Sequence, residues 1–125
     1  MYQLAIIRSF QASHHLIGGD WGPENEPHTH NYRLEVRFGG RALDEHGFLL
    51  DLDDLGKTLD RLLSAVQGKH LNDLPPFHGL NPSVEHFARI LAQDLAASLQ
   101  PDRLDVLEVR IWEGDLAWAS YRMEL

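Results

Sequence analysis

The chain of 125 residues contains no cysteine. Disulfides, thiolate metal sites and thiol nucleophiles are therefore excluded. No apolar run approaches the roughly 20 residues that a membrane-spanning helix requires, so no membrane partner is expected. Basic residues are few: 11 stand against 19 acidic ones, and the formal net charge is −8. Nothing resembles a basic stripe, and no nucleic-acid partner is expected. So acidic a protein can hold an anionic substrate only through a local basic or metal site. Repeats, low-complexity tracts and dividing linkers are also missing, which reads as a single domain over residues 1–125. The opening MYQLAIIRSF has no charge ahead of its apolar stretch and no small-residue cleavage site. It reads as part of the fold rather than as a signal peptide, with a cytoplasmic location as the default.

What is present is periodic. Tyr2, Leu4, Ile6, Arg8 and Phe10 alternate with Gln3, Ala5, Ile7 and Ser9, a strand buried on much of both faces. Gly18 to Pro27 is rich in Gly, Asp, Asn and Pro and reads as a loop. Tyr32, Leu34, Val36 and Phe38 then face away from Asn31, Arg33, Glu35 and Arg37, a second strand that Gly39 and Gly40 end. After residue 47 the period becomes helical: Leu52, Leu55, Leu59, Leu62, Leu63 and Val66 form one stripe, closed by Gly68. A second helix opens at NPSVEHF, with Asn81 or Ser83 as cap and Pro82 in its first turn. Its stripe is Val84, Phe87, Ala88, Leu91, Leu95 and Leu99, and Pro101 stops it. Alternation returns at Leu107, Val109 and Ile111, and again at Ala119, Tyr121, Met123 and Leu125, joined by the short connection EGDL. The order is ββααββ, an α+β arrangement with an antiparallel sheet covered on one face. Its outer edges call for subunit association.

One stretch carries chemistry. In ENEPHTHNYRLEVRF, His28 and His30 stand at i and i+2 where the second strand begins, so they point the same way. If the first two strands form a hairpin, His14 or His15 lies opposite them. Adjacent strand residues face opposite ways, so only one of the two can join. Three imidazoles without cysteine suit a catalytic Zn²⁺ site, with three protein ligands and one open position. The plainer alternative is a group of polar loop histidines.

The segments FQASHHL, HTHNYRLEV, GFLLDLDDL, HLNDLPPF, NPSVEHFA and VRIWEG follow the order and spacing of the 6-pyruvoyl-tetrahydropterin synthase family. The chain resembles that family over nearly its whole length. The family includes the bacterial 6-carboxy-tetrahydropterin synthases of queuosine biosynthesis. The resemblance implies the T-fold, in trimers whose sheets join into a barrel and which stack as hexamers, with active sites between subunits. It implies zinc held by His14, His28 and His30, which selects His14 over His15. It implies a pterin substrate anchored by Glu113 in IWEG, because a carboxylate accepts two hydrogen bonds from the pterin amino group and ring N–H. NPSVE resembles the family's Pro-Thr-x-Glu turn, which makes Ser83 and Glu85 pocket residues. Glu85 has a second reading, as a first-turn carboxylate satisfying helix N–H groups.

The sequence departs from the family at its catalytic positions. The family's cysteine, four residues before its His-x-His, is replaced by Glu24. Its Asp-His relay in LDHxxLN aligns with VQGKHLN, which puts Gln67 and Gly68 in those places. A subgroup similar to this family carries glutamate at the cysteine position and cleaves dihydroneopterin triphosphate to a 6-hydroxymethyl pterin for folate synthesis. Glu24 is accordingly the expected base, with Glu26 a neighbouring competitor. His70 and His78 are loop histidines near the vacant relay, His86 is a surface or interface residue, and His46 has no assigned role. The expected function is a zinc-dependent pterin lyase acting on 7,8-dihydroneopterin triphosphate or a close relative. The rival is a pterin- or purine-binding module that keeps the metal site without catalysis.

Overall fold

Alternation draws the strands into a single sheet. A computed structural model describes residues 1–99 and 102–125. Strands β1 (Tyr2–His14), β2 (His28–Gly40), β3 (Val106–Glu113) and β4 (Trp118–Glu124) lie in the order β1-β2-β3-β4. Every neighbouring pair is antiparallel. Helices α1 (Leu52–Ser64) and α2 (Val84–Leu99) fall between β2 and β3 in the chain. The ββααββ order and the antiparallel four-stranded sheet are as the sequence predicts.

The covered face is the one that alternation marks. Phe10 and Ala12 of β1, Tyr32, Leu34, Val36 and Phe38 of β2, and Leu107, Val109 and Ile111 of β3 are all buried. Leu55, Leu59 and Leu63 of α1 and Phe87, Ala88, Leu91 and Leu95 of α2 close over them. Each such large side chain contributes about 1.5–3 kcal/mol when taken fully out of water. Helix α2 packs on β3 and β4, and α1 packs on α2. Over β1, Arg8 Nε lies 2.8 Å from Asp60 Oδ1 and ties the strand to α1. Asp51 caps α1 by accepting hydrogen bonds from the N–H groups of Asp53 and Asp54.

Three local expectations are corrected. Strand β1 is buried on one face only: Ile7 is 45% exposed, because both helices lie on the other side. Gly39 and Gly40 end β2 as expected, as its last two residues, and pair with Gln3 and Tyr2. They are glycine because a Cβ at Gly39 would stand 2.6 Å from Val106 Cγ1, and one at Gly40 2.9 Å from Leu49 Cδ1. Helix α1 ends at Ser64, short of Val66, and Gly68 takes its φ of 69° in the following turn. Pro82 precedes the cap rather than entering α2: Ser83 Oγ accepts from His86 N–H at 3.2 Å and is the cap itself. The stop expected at Pro101 lies outside the described residues.

Gly39→Ala is expected to lower unfolding free energy by about 1–3 kcal/mol, the range for forcing extra volume into a packed site. Urea unfolding of the purified variant measures it.

Candidate metal centre and active site

The register of β1 on β2 builds the site. His14 faces His28 directly, and His30 faces Ala12 two residues further along β2. All three side chains therefore leave the same face of the sheet, the one the helices cover. Their ring centroids are 4.6 Å (His14–His28), 4.7 Å (His28–His30) and 5.0 Å (His14–His30) apart. One nitrogen from each lies within 4.8 Å of the others. Below them is aromatic packing: Tyr32 is 5.7 Å from His30 and stacks on Phe10 at 5.2 Å.

Backbone carbonyls set the tautomers. His14 Nδ1 is 2.8 Å from the Pro82 carbonyl, and His28 Nδ1 is 2.8 Å from the Glu26 carbonyl. A carbonyl only accepts, so each Nδ1 carries the proton and donates it. Each Nε2 is left with a free lone pair. His28 Nε2 and His30 Nε2 are buried and have no hydrogen-bond partner. Glu113 Oε1 is 3.1 Å from His30 Nε2, a charge-pair distance without hydrogen-bond alignment. A buried polar atom left unpaired costs about 1–3 kcal/mol. Unpaired buried imidazole nitrogens converging on one point fit a cation, and carbonyl-oriented histidines are the usual outer shell of a metal site. His14, 2% exposed, is the one buried polar or charged side chain among the described residues. Burial, then the neighbouring His28 and His30, lowers its pKa below the ordinary 6.5, against the Pro82 hydrogen bond and the Glu24 charge. It is thus held in the neutral form that ligates metal.

The loop between β1 and β2 presents Glu24. A 3-10 turn over Gly22–Asn25 carries it, and its carbonyl accepts from Leu16 N–H at 2.9 Å. Asn25 ties the same loop to Leu16 and Gly19. Glu24 is exposed, yet close enough for its charge to act on His14. Glu26 enters the site through its carbonyl. Glu113, which neighbours His30, and Glu85 line a hollow of about 230 Å³ with Val84, Ala117, Trp118 and Ala119. A larger, more apolar groove beside Tyr2 and Phe48 lies at the other end of β1 from the histidines.

Other expected residues fall elsewhere. Ser83 spends its hydroxyl on the α2 cap. Gln67 and Gly68 bond the edge of β1: Gln67 Oε1 accepts from Gln11 N–H at 3.0 Å, and Gly68 N–H donates to the Gln11 carbonyl at 2.7 Å. His15, on the opposite face from His14, bonds His70. His86 Nδ1 donates to the Asn81 carbonyl, His78 is exposed, and His46 pairs with Glu45 at 3.5 Å.

With this geometry in view, the model of the family described as 6-pyruvoyl tetrahydropterin synthase matches residues 3–124. The chain belongs to that family. It is 30% identical to a 6-pyruvoyl tetrahydrobiopterin synthase of Poecilia reticulata, covering 94% of this chain and 88% of the relative. A protein of the same name from Dictyostelium discoideum is also 30% identical, over 78% of this chain and 71% of its own length. Among solved structures, the Caenorhabditis elegans 6-pyruvoyl tetrahydropterin synthase superposes with a TM-score of 0.86 at 24% identity, covering 98% of this chain and 96% of that one. The Plasmodium vivax 6-pyruvoyltetrahydropterin synthase, solved as a catalytic residue mutant with a glutamate changed to alanine, gives 0.79 at 15% identity, covering 99% and 98%. These structures establish the T-fold. Synthases of this family are metal-dependent lyases, and the histidine cluster could hold the ion.

Sequence reasoning missed the carbonyls of Pro82 and Glu26 and the loop asparagines, which act through backbone and leave no spacing signature. Adding Zn²⁺ to metal-free protein is expected to raise its thermal midpoint, with about 2.7 kcal/mol gained at a hundredfold excess over Kd. His28→Ala should abolish that gain, as scanning calorimetry would show. A pH effect also follows. The unfolded chain protonates His14 at its ordinary value while the native chain resists, so this contribution is complete above pH 6.5 and is lost as pH falls through the lowered native value. Urea unfolding of metal-free protein between about pH 7 and pH 5 should show the decline, and His14→Gln should flatten that part of it.

Proposed function

We propose that this chain is a zinc-dependent pterin lyase acting on 7,8-dihydroneopterin triphosphate or a close relative. It works in the cytoplasm as a trimer or hexamer whose sheets close edge to edge. The observation that carries the reading is Glu24, an exposed carboxylate on the metal-side loop whose charge bears on His14. A catalytic glutamate in the Plasmodium vivax relative supports a base of this type. In the roles proposed, His14, His28 and His30 hold the ion. Glu113 fixes the pterin by accepting from its amino group and ring N–H, and Glu85 closes the far side of the same hollow. Zinc, when bound, supplies a Lewis acid that stabilises negative charge developing on the substrate.

Glu24 takes a hydroxyl proton from the substrate side chain, the adjacent carbon–carbon bond breaks to release the two-carbon aldehyde that carries the triphosphate, and the proton returns to the carbon left on the pterin. A carboxylate is a weak base, so it suits a substrate proton made more acidic by its surroundings. Gln67 and Gly68 cannot exchange protons. A reaction needing one base is therefore favoured over one that moves several protons, and cleavage to a 6-hydroxymethyl dihydropterin, as in folate synthesis, fits better than the multistep routes of biopterin or queuosine synthesis.

Zinc-loaded protein incubated with 7,8-dihydroneopterin triphosphate should give 6-hydroxymethyl-7,8-dihydropterin on chromatography. Glu24→Gln should slow turnover by about 10²–10⁴-fold with ligand binding retained. Wild-type turnover untouched by that substitution removes Glu24 from the role. Tight pterin binding with no product from wild type supports the non-catalytic binding module instead.

A further inference from the structure

Strand pairing stops at His14, yet the backbone from His15 to the Ile17 N–H stays hydrogen-bonded. Asn72 Oδ1 accepts from His15 N–H at 3.0 Å, and Asn72 Nδ2 donates to the His15 carbonyl at 3.0 Å. Asn25 Nδ2 donates to the Leu16 carbonyl at 3.0 Å, and Asn81 Oδ1 accepts from Ile17 N–H at 3.1 Å. Three carboxamides from three loops thus stand in for a neighbouring strand. Asn81 adjoins Pro82, which orients His14, and Asn25 adjoins Glu24. Asn72 alone stands beside neither, and it makes the most demanding contact. Only a carboxamide offers one donor and one acceptor in the spacing of a residue's own N–H and C=O.

Asn72 also fixes a chain of protons. Its orientation is settled by the two backbone bonds, so Nδ2 is the group that meets His15 Nε2 at 3.4 Å. Nδ2 only donates, and His15 Nε2 must accept. His15 Nδ1 then carries the proton and donates to His70 Nε2 at 2.8 Å. His70 Nδ1 in turn donates to Ser13 Oγ at 2.8 Å, and the hydroxyl proton is left for the Lys69 carbonyl at 3.5 Å. The opposite polarity would set two N–H groups against each other at Asn72. The loop carrying residues 67–72 is bound to both flanks of His14 in this way, through Ser13 and His15.

We propose that Asn72 is a positioning residue for the metal centre, acting through the backbone of His15 and the fixed His15–His70 pair to hold His14 in place. This rests on the metal reading of the histidine cluster. Ligand nitrogens must fall within about 0.2 Å of their ideal distances. His14 has its ring held by Pro82 and its main chain paired with His28 on one side, while on the other side the strand is held at Ser13 and His15, through the Lys69 carbonyl and Asn72.

The test compares wild type, Asn72→Ala and Asn72→Asp by Zn²⁺ competition with a chelator, by the absorption bands of Co²⁺-substituted protein, and by thermal unfolding without metal. Asn72→Ala should lower Zn²⁺ affinity about 10–100-fold, as loss of an outer-shell partner does, and should alter the Co²⁺ bands. Asn72→Asp keeps the acceptor for His15 N–H and should fall between. Zn²⁺ affinity and Co²⁺ bands equal to wild type, with only the unfolding midpoint lowered, overturn the proposal and leave the metal reading standing. Absence of Zn²⁺ binding in wild type overturns both. Should the variants fail to fold, nitrogen NMR of wild type decides: His15 and His70 are both expected as Nδ1–H tautomers, and Nε2–H on either overturns the mechanism.

Discussion

Slide β1 by one residue against β2 and the site disappears. His14 would turn to the bare face and lose the Pro82 carbonyl, and His28 would face Ser13 for a slip one way or His15 for a slip the other. The pairing that prevents this runs from Tyr2–Gly40 to His14–His28 without a bulge. It is pinned far from the histidines, by the buried alternation of Phe10, Tyr32, Leu34, Val36 and Phe38 and by the tight fit around Gly39. The hydrophobic core therefore does more than stabilise. It sets the phase of the strands, and the metal centre is the last repeat of the same pattern, with imidazoles where the preceding pairs carry apolar side chains. Because the centre continues the core, its floor is aromatic and dry, which is why His14 is neutral and why two Nε2 atoms are buried without partners.

The cluster is electrostatically lopsided. Glu24 approaches from the loop side and Glu113 from β3, so two carboxylates flank the three rings. In a chain of net charge −8 that arrangement attracts a cation and repels a bare anion. Under the proposed function, an anionic substrate would follow the ion, because the ion offsets those carboxylates.

Much of this was legible in the sequence, for a definite reason. Alternation and helical stripes report which face is buried, and the i, i+2 placement of His28 and His30 fixes their common direction from parity alone. Parity also says that only one of His14 and His15 can join them, but not which; that depends on the register, a long-range property, and was supplied by resemblance. Ile7 misled because an apolar residue in a strand looks the same whether a second layer covers it or not. Gly39 and Gly40 marked the end of β2 correctly, but the close approaches that require them there were not legible, because glycine marks both turns and close approaches. Pro82, Glu26 and Asn72 were invisible because their service is through one carbonyl or one carboxamide to a distant backbone, and residue type does not encode the partner.

The vacated relay shows how a local change becomes committed. At positions 67 and 68 the chain now closes the edge of β1, with the Gln67 amide on Gln11 N–H and Gly68 on the Gln11 carbonyl. The two Gln11 groups are satisfied in one stroke, and Gly68 reaches its carbonyl with a φ of 69°, where a residue with a Cβ is strained by about 1–2 kcal/mol. An aspartate at 67 is a methylene shorter than the glutamine now bridging to Gln11, and a histidine at 68 would bear the backbone strain. Edge closure and proton relay therefore compete for the same two residues. On the proposed function the proton acceptor then lies elsewhere, and Glu24, whose charge acts on His14, is the residue proposed for it.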